Sequence, residues 1–361
     1  CDFCHNLNIS GICIYAVFAR SGISIGYSHR VSISNIKIDG INDVQLGYGI
    51  SIGHGTSEVV ISDCIIQGTR HAITGDRAYD ITISNVVASG INDALSASFD
   101  THEHMKDITY SNCVSNGASS GLNIRAQRVC VSNMVINGAL SRGVTIQSMA
   151  KDVDISNLQV YNCGTWGEMS TVICVHLDGC SRVNMSNVRI IQDAPAKSNL
   201  LRGMRIDACS DITVSNYSII DNTGSEFVHG VECTNACDNI KFISGIVRGC
   251  RDRAINLSTA TNSTIRDLIT PHSIGAGGYS NNVCNVSSHV NSNSGAAATV
   301  ADGGTIAHGC VKAPTKVTLT GSVAGEIVTV TFIDATNITV AIKKPDGSAG
   351  TPQTVYWRAE V

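Results

Sequence analysis

Hydrophobic and polar residues alternate in short runs along most of the chain, and the runs repeat. One element, apolar-x-apolar-Ser-Asn-apolar-x-apolar, centres on Ser34-Asn35, Ser84-Asn85, Ser111-Asn112, Ser132-Asn133, Ser156-Asn157, Ser186-Asn187 and Ser215-Asn216, with Asp63 replacing Asn after Ser62. Weaker copies sit at Ser10-Gly11, Ser244-Gly245 and Arg266-Asp267. A second element, Gly-apolar-x-apolar, falls between them, as in Gly49-Ile50-Ser51-Ile52, Gly143-Val144-Thr145-Ile146 and Gly230-Val231-Glu232-Cys233. Successive Ser-Asn copies lie 21 to 30 residues apart. Period-2 runs of this length are strands, and a few per repeat bury their inner face only by stacking on the next copy. The pattern predicts an all-β chain: a right-handed, single-stranded parallel β-helix of about eleven coils over residues 1–288.

Asn suits the sharp bend of such a coil, because it tolerates a left-handed backbone and its amide can bond to the same amide one coil away. Leucine-rich and propeller repeats would need Leu frames or Trp-Asp signals, which the sequence lacks. The column from Asn35 to Asn216, with Asp63 in line, resembles the asparagine ladder of the pectate-lyase-like β-helix superfamily. That superfamily includes polysaccharide lyases, polygalacturonase-type hydrolases and phage tailspike depolymerases. The resemblance is specific for fold and leaves the reaction open.

The pattern stops at residues 289–308, where Asn291-Ser292-Asn293-Ser294-Gly295 and Ala301-Asp302-Gly303-Gly304 read as a linker. Beyond it, Lys316 to Thr320, Glu326 to Ile333, Asn337 to Lys343 and Thr354 to Val361 alternate like strands, with Pro345-Asp346-Gly347 as a turn. Residues 309–361 are therefore expected to form a small β-sandwich-like domain. So short a unit has a poor core of its own and gains from association. It resembles the C-terminal trimerisation modules of phage tailspikes, which implies a homotrimer. The competing expectation is a carbohydrate-binding module with Tyr356 and Trp357 as a sugar platform.

Composition narrows the partners. Charged residues make up 15% and aromatics 5%, with 34 Gly and 5 Pro, a strand-and-turn balance. A net charge of −4 and the lack of Lys/Arg runs give no field to gather nucleic acid or anionic lipid. No run approaches the ~18 apolar residues of a membrane span, and the first residues lack the layout of a signal peptide. The chain opens on Cys1 with the repeat already under way, so it is expected to be part of something longer. The 15 cysteines fall mostly in apolar strands, Cys64, Cys113, Cys130, Cys174 and Cys233 among them, and are expected as buried, reduced thiols. Cys1 with Cys4 and Cys233 with Cys237 are the pairs with metal or disulfide spacing.

If the Gly-apolar-x-apolar strands stack, their outward positions form rows along the helix axis. Aligning Ile50, Ile73, Leu95, Leu122, Val144, Ile173, Met204 and Val231 gives a first row with Thr74, Ser96, Asn123, Thr145, Cys174, Arg205 and Glu232. It gives a second row with Asp76, Ser98, Arg125, Gln147, His176 and Asp207. One coil breaks the period with a loop about five residues longer, Ser98-Phe99-Asp100-Thr101-His102-Glu103-His104. His71 and Asp76 lie on the coil before it and Arg125 on the coil after.

Glycoside hydrolysis needs two carboxylates roughly 5 to 9.5 Å apart, a separation that neighbouring coils supply. Asp76 and Asp100 are the first choice for acid and base or nucleophile, with His102 and Glu103 as further catalytic candidates. His71, Arg125, Gln147, His176 and Asp207 are expected to bind substrate. A uronate lyase would instead use a base and a cation, which His102 and Arg125 could serve. Asp100, His102 and His104 could alternatively hold a divalent ion, although Asp-x-His-x-His on a loop has no fixed facial geometry. No cofactor is expected. Arg70-His71 and Asp100-Thr101-His102 look like segments of β-helical phage tail proteins. The resemblance implies a depolymerase on a virion tail, cutting bacterial surface polysaccharide. The alternatives are a bacterial pectate or alginate lyase, and a receptor fibre that binds glycan without cleaving it.

Overall fold

The computed structural model describes residues 1–15, 20–40, 47–90, 97–164, 171–198, 200–224, 227–257, 259–270, 272–275, 283–285, 292–308, 313–334 and 336–360. Leu95, Ser96, Asn291 and Val361 lie outside them.

Residues up to 285 form a parallel β-helix. Each coil contributes a short strand to an 11-stranded sheet and a longer one, often split, to a 17-stranded sheet. The path is plain in Tyr48–Ile52, Ser57–Gln67, His71–Gly75 and Tyr79–Ser89, where strands pair with their counterparts one coil away, in parallel. The solenoid makes about nine turns, a little below the eleven expected. The terminal copies supply short strands, Cys13–Tyr15 at one end and Val283–Asn285 at the other.

The Ser-Asn element is the bend within the longer strand. Asp63, Asn85, Asn112, Asn133, Asn157 and Asn187 all have φ between 52° and 55°, the left-handed region that Asn enters at least cost. Their side chains form a ladder: Asn85 donates to Asp63 (3.0 Å), Asn112 to Asn85 (3.3 Å), Asn133 to Asn112 (3.0 Å), Asn157 to Asn133 (2.9 Å) and Asn187 to Asn157 (3.1 Å). The Gly of the second element answers a different need. A Cβ on Gly143 would lie 2.4 Å from the Cys174 carbonyl oxygen and 2.7 Å from Val160 Cγ1, so only Gly lets the coils close there.

A second left-handed column has no single residue type. Arg30, Glu58, Asp80, Asp107, Arg128, Asp152, Arg182 and Asp211 have φ between 53° and 58°. Several pair across coils: Arg128 with Asp107 (2.5 Å), Arg182 with Asp152 (2.6 Å) and Arg30 with Glu58 (3.2 Å).

Inside, one apolar cluster runs the length of the helix, from Ile23 to Leu268. Cys64, Cys113, Cys174 and Cys233 are buried free thiols, as expected, but Cys130 is exposed. Val129 and Val131 take the inward positions beside it, and strand alternation turns Cys130 out.

Residues 292–360 form a separate unit of two three-stranded antiparallel sheets. One orders Ser292–Val300, Gln353–Glu360 and Lys316–Gly321; the other Thr305–Ala307, Asn337–Lys343 and Ile327–Ile333. The stretch expected as a linker over 289–308 thus supplies two of the six strands. Its small residues pair opposite large ones, Gly295 with Trp357 and Ala296 with Tyr356, so low complexity here marks packing and not a tether. Alternation also divides the expected sugar platform, for Trp357 packs in the unit's core while Tyr356 is exposed.

Candidate active site

The 11-stranded sheet sets the register of its outward residues, and it differs from the sequence alignment in two coils. Phe99, not Leu95, stacks on Ile73, and Val175, not Ile173, stacks on Val144. Shifts of four and two residues preserve the inside-outside parity, so apolar alternation alone does not detect them. The first outward row therefore reads Ser51, Thr74, Asp100, Asn123, Thr145, His176, Arg205 and Glu232. Asp100 and His176 move into it, displacing Ser96 and Cys174. Ser98 leaves the second row as well, and Asp178 pairs with Asp207 where His176 was expected.

The stretch expected as a long loop begins as a strand, Ser98–Thr101, paired with the coils on both sides, and it is the centre of a polar cluster. Phe99 points inward against Tyr110, ring centroids 5.8 Å apart, and this anchor sends Asp100 outward. Asp100 is nonetheless only 3% exposed, because Arg125 from the next coil covers it and donates to both carboxylate oxygens at 2.9 and 2.8 Å. The Arg125 Nε also donates to the Thr101 carbonyl (3.2 Å), and its backbone N–H donates to Thr101 Oγ1 (3.1 Å). His102 Nε2 lies 3.8 Å from Asp100 Oδ2. One guanidinium nitrogen, Nη2, spans both carboxylate oxygens while Nε is held on the backbone, so Asp100 and Arg125 are fastened to each other.

Asp76, on the preceding coil, is different. It is 37% exposed and stands between two imidazoles, His54 Nε2 at 3.3 Å and His104 Nδ1 at 3.6 Å. His104 Nε2 in turn lies 3.7 Å from Glu103. The expected Asp100, His102 and His104 metal triad is divided, with His102 beside Asp100 and His104 beside Asp76. Among the described residues no group of three or more such ligands is placed to hold an ion. His54 and His104 thus join the site through Asp76.

His71 is held by Ser98, Nδ1 to Oγ 2.6 Å, and stacks on Tyr48. Burial lowers its pKa to about 4; the charge of Asp100 acts in the opposite direction and Arg70 adds to the lowering. It is a neutral imidazole at the flank of the cluster. Gln147 follows Arg125 in the second row, its backbone N–H on the Ile124 carbonyl. His176 is enclosed, with neither ring nitrogen finding a partner among the described residues, and burial lowers its pKa to about 4. It forms the floor of the face and does not offer the substrate contact expected of it.

A second cluster occupies the far end of the same face. Arg202 Nε donates to Glu232 Oε2, His229 Nε2 lies 3.5 Å from Glu232, and His229 Nδ1 lies 3.6 Å from Asp252. Arg205 donates to Asp207 at 3.1 Å, and Asn235 donates to the other Asp207 oxygen at 2.6 Å. Arg202, His229 and Asp252 had not been singled out. The signal was present: Tyr48, His71, Arg142, Arg202, His229 and Arg253 each directly precede a Gly or Ala that opens the second element. They belong to a third outward row.

No protein-family profile matches the sequence, and no curated protein matches it. Solved structures do match. The Dettilon tailspike protein is 11% identical with a TM-score of 0.56, over 100% of this chain and 85% of that one. A double-mutant tailspike of E. coli bacteriophage HK620, in complex with a pentasaccharide, is 10% identical with a TM-score of 0.51, over 99% of this chain and 75% of that one. The Pseudomonas phage phi297 tailspike is 15% identical with a TM-score of 0.46, and this chain spans 63% of its length. At such identities the first two matches establish architecture, and the chain has the parallel β-helix fold on which those phage tailspikes are built.

Proposed function

We propose that the chain is the body of a phage tailspike that lays a bacterial surface polysaccharide across the outward face of its 11-stranded sheet and cleaves it, by hydrolysis ahead of β-elimination. The observation that carries this is the pairing of Asp76 and Asp100 on adjacent coils. Thr74 stacks on Asp100, so Asp76 lies one coil and two residues away. One coil step of ~4.8 Å and two strand residues of ~3.3 Å each give about 8 Å between backbones, within the range of glycosidase carboxylate pairs. Asp76 reaches solvent between two imidazoles and acts as the proton carrier. Asp100, covered by Arg125, is the partner carboxylate, which meets the reacting carbon once the guanidinium turns onto the sugar, and His102 orients it. Glu103 supports Asp76 through His104. Arg125, Gln147 and Asp207 continue along the face as sugar contacts.

Capsule, O-antigen and exopolysaccharide are the candidate substrates, and the working location is the virion tail, outside the bacterial cell. Incubation with these polysaccharides is expected to release reducing ends, and release of none rejects cleavage in favour of a fibre that only binds. Unsaturated products absorbing in the ultraviolet would replace hydrolysis by elimination.

The C-terminal unit leaves Ile327 and Phe332 largely exposed, which supports trimerisation through it. Scattering mass is expected to report a trimer for the chain and a smaller species without residues 292–361; a monomer in both rejects the assembly.

A further inference from the structure

Where each strand of the 11-stranded sheet turns into the 17-stranded sheet, one residue per coil points inward, and most coils place a small side chain there. Ala150, Cys180, Cys209 and Cys237 occupy this corner in successive coils. Backbone bonds join each to the coil behind it: Ser181 donates to the Ala150 carbonyl, Ser210 to the Cys180 carbonyl and Asp238 to the Cys209 carbonyl. Three thiols therefore lie in file. The Cys180 and Cys209 sulfurs are 3.6 Å apart. Parallel strands stack at ~4.8 Å, inside the Cα range of about 4.4 to 6.8 Å that a disulfide accepts, so the two coils already stand at bonding distance. All three are buried, yet each directly follows a left-handed corner residue, Gly179, Ala208 or Ala236, and the last two are exposed.

We propose that Cys180 and Cys209 are an oxidisable pair that peroxide converts into an intramolecular disulfide, stapling two adjacent coils behind the outward rows that carry Arg205 and Asp207. The thiolate of Cys209 attacks one peroxide oxygen, the O–O bond breaks, and the departing hydroxide takes a proton to become water. The resulting sulfenic acid on Cys209 is attacked by Cys180, and its oxygen leaves as a second water. Two thiols are oxidised, one S–S bond forms, and one hydrogen peroxide is reduced to two waters. Cys209 is the first nucleophile, since hydrogen bonds from its surroundings, Cys180 foremost, lower its pKa while Cys180 itself is raised. Cys237 has a different thiol partner, Cys233, and its sulfur also lies on the Thr234 carbonyl at 3.2 Å.

The test uses the full chain, folded, with hydrogen peroxide as the probe and iodoacetamide added during denaturation to block remaining thiols. The expected product is lighter by two hydrogens before blocking and gives a peptide pair cross-linked through Cys180 and Cys209, reversible by a thiol reductant. Its melting temperature rises by roughly 5 °C, because the bond closes a loop of about 30 residues. Cys209→Ala abolishes the cross-link, and Ala already fills this corner in the coil of Ala150, so the variant has a precedent for folding. Cys64→Ala, a buried thiol elsewhere, retains it. A cross-link between other cysteines, or peroxide-treated chain carrying only sulfinic or sulfonic acid at Cys209, overturns the proposal.

Discussion

The two polar clusters on the 11-stranded sheet share one device and differ in what surrounds it. In each, a carboxylate is covered by an arginine from the adjacent coil and flanked by a histidine: Asp100 with Arg125 and His102, and Glu232 with Arg202 and His229. The clamp alone does not mark a catalytic carboxylate, since the exposed Arg128–Asp107 and Arg182–Asp152 pairs on the other sheet make a similar contact. What distinguishes the first cluster is Asp76, a carboxylate that reaches solvent beside two imidazoles. In the second cluster Glu232 and Asp207 are engaged by Arg202, Arg205 and Asn235, and the carboxylate that reaches solvent, Asp252 (56% exposed), has a single imidazole beside it among the described residues, His229 at 3.6 Å. Under the proposed function proton transfer uses the carboxylate held between two imidazoles, which assigns the chemistry to the first cluster and rigidity to the second.

The largest expected effect tests that division. Asp100→Asn keeps the shape of the side chain and is expected to lower polysaccharide cleavage at least ~10²-fold, the scale of general acid or base catalysis. Asp76→Asn should do the same. Glu232→Gln should change cleavage only a few-fold while lowering the melting temperature, because it weakens a half-buried pair with Arg202. Equal losses of cleavage at Asp100 and Glu232, measured as reducing ends released, would erase the distinction between the clusters.

Acid should weaken both ends of the face. His71 flanks the first cluster and His176 lies toward the second, and burial lowers both to a pKa of about 4. A histidine lowered from its usual 6.5 on folding binds protons more readily when unfolded. Its contribution to stability is complete above about pH 6.5 and is lost as pH falls from 6.5 through 4. The melting temperature is expected to hold above pH 6.5 and to fall below it. His176→Gln should reduce the slope of that fall; an unaltered slope would mean that other groups carry the acid sensitivity.

Much of this architecture was legible because single residue types mark single constraints. Asn recurs where the backbone must turn left-handed and an amide can bond its own copy, and Gly where coils close to contact. Register was less legible: Ile173, Val175 and Leu177 are all apolar and share one parity, so the strand slides by two residues without any change of pattern. Asp100 was found because its coil breaks the period, but its burial beneath Arg125 depends on a residue 25 positions away. In the second cluster Arg205, Asp207 and Glu232 fall in the rows read after the Gly, whereas Arg202 and His229 sit just before it and were missed.

The second bend column was missed for a physical reason that can be tested directly. Arg30, Glu58, Asp80, Asp107, Arg128, Asp152 and Arg182 share a backbone conformation and a charge of varying sign, each five residues before the Asn or Asp63 of its coil, so the column repeats as charge and not as one residue type. In the Asn ladder the side chain contributes through the bonds it makes to neighbouring coils, whereas in the charged column it contributes exposed ion pairs of little worth. Asn133→Ala loses the bonds to Asn112 and Asn157 and places a Cβ-bearing residue without compensation at φ 52°, for an expected cost of about 1–2 kcal/mol. Arg182→Gly loses only its exposed contact to Asp152 and relaxes φ 54°. Thermal melting should therefore separate the two bends by sign, falling for Asn133→Ala and holding or rising slightly for Arg182→Gly. A loss at Arg182 as large as that at Asn133 would make the charged pairs a second ladder in their own right.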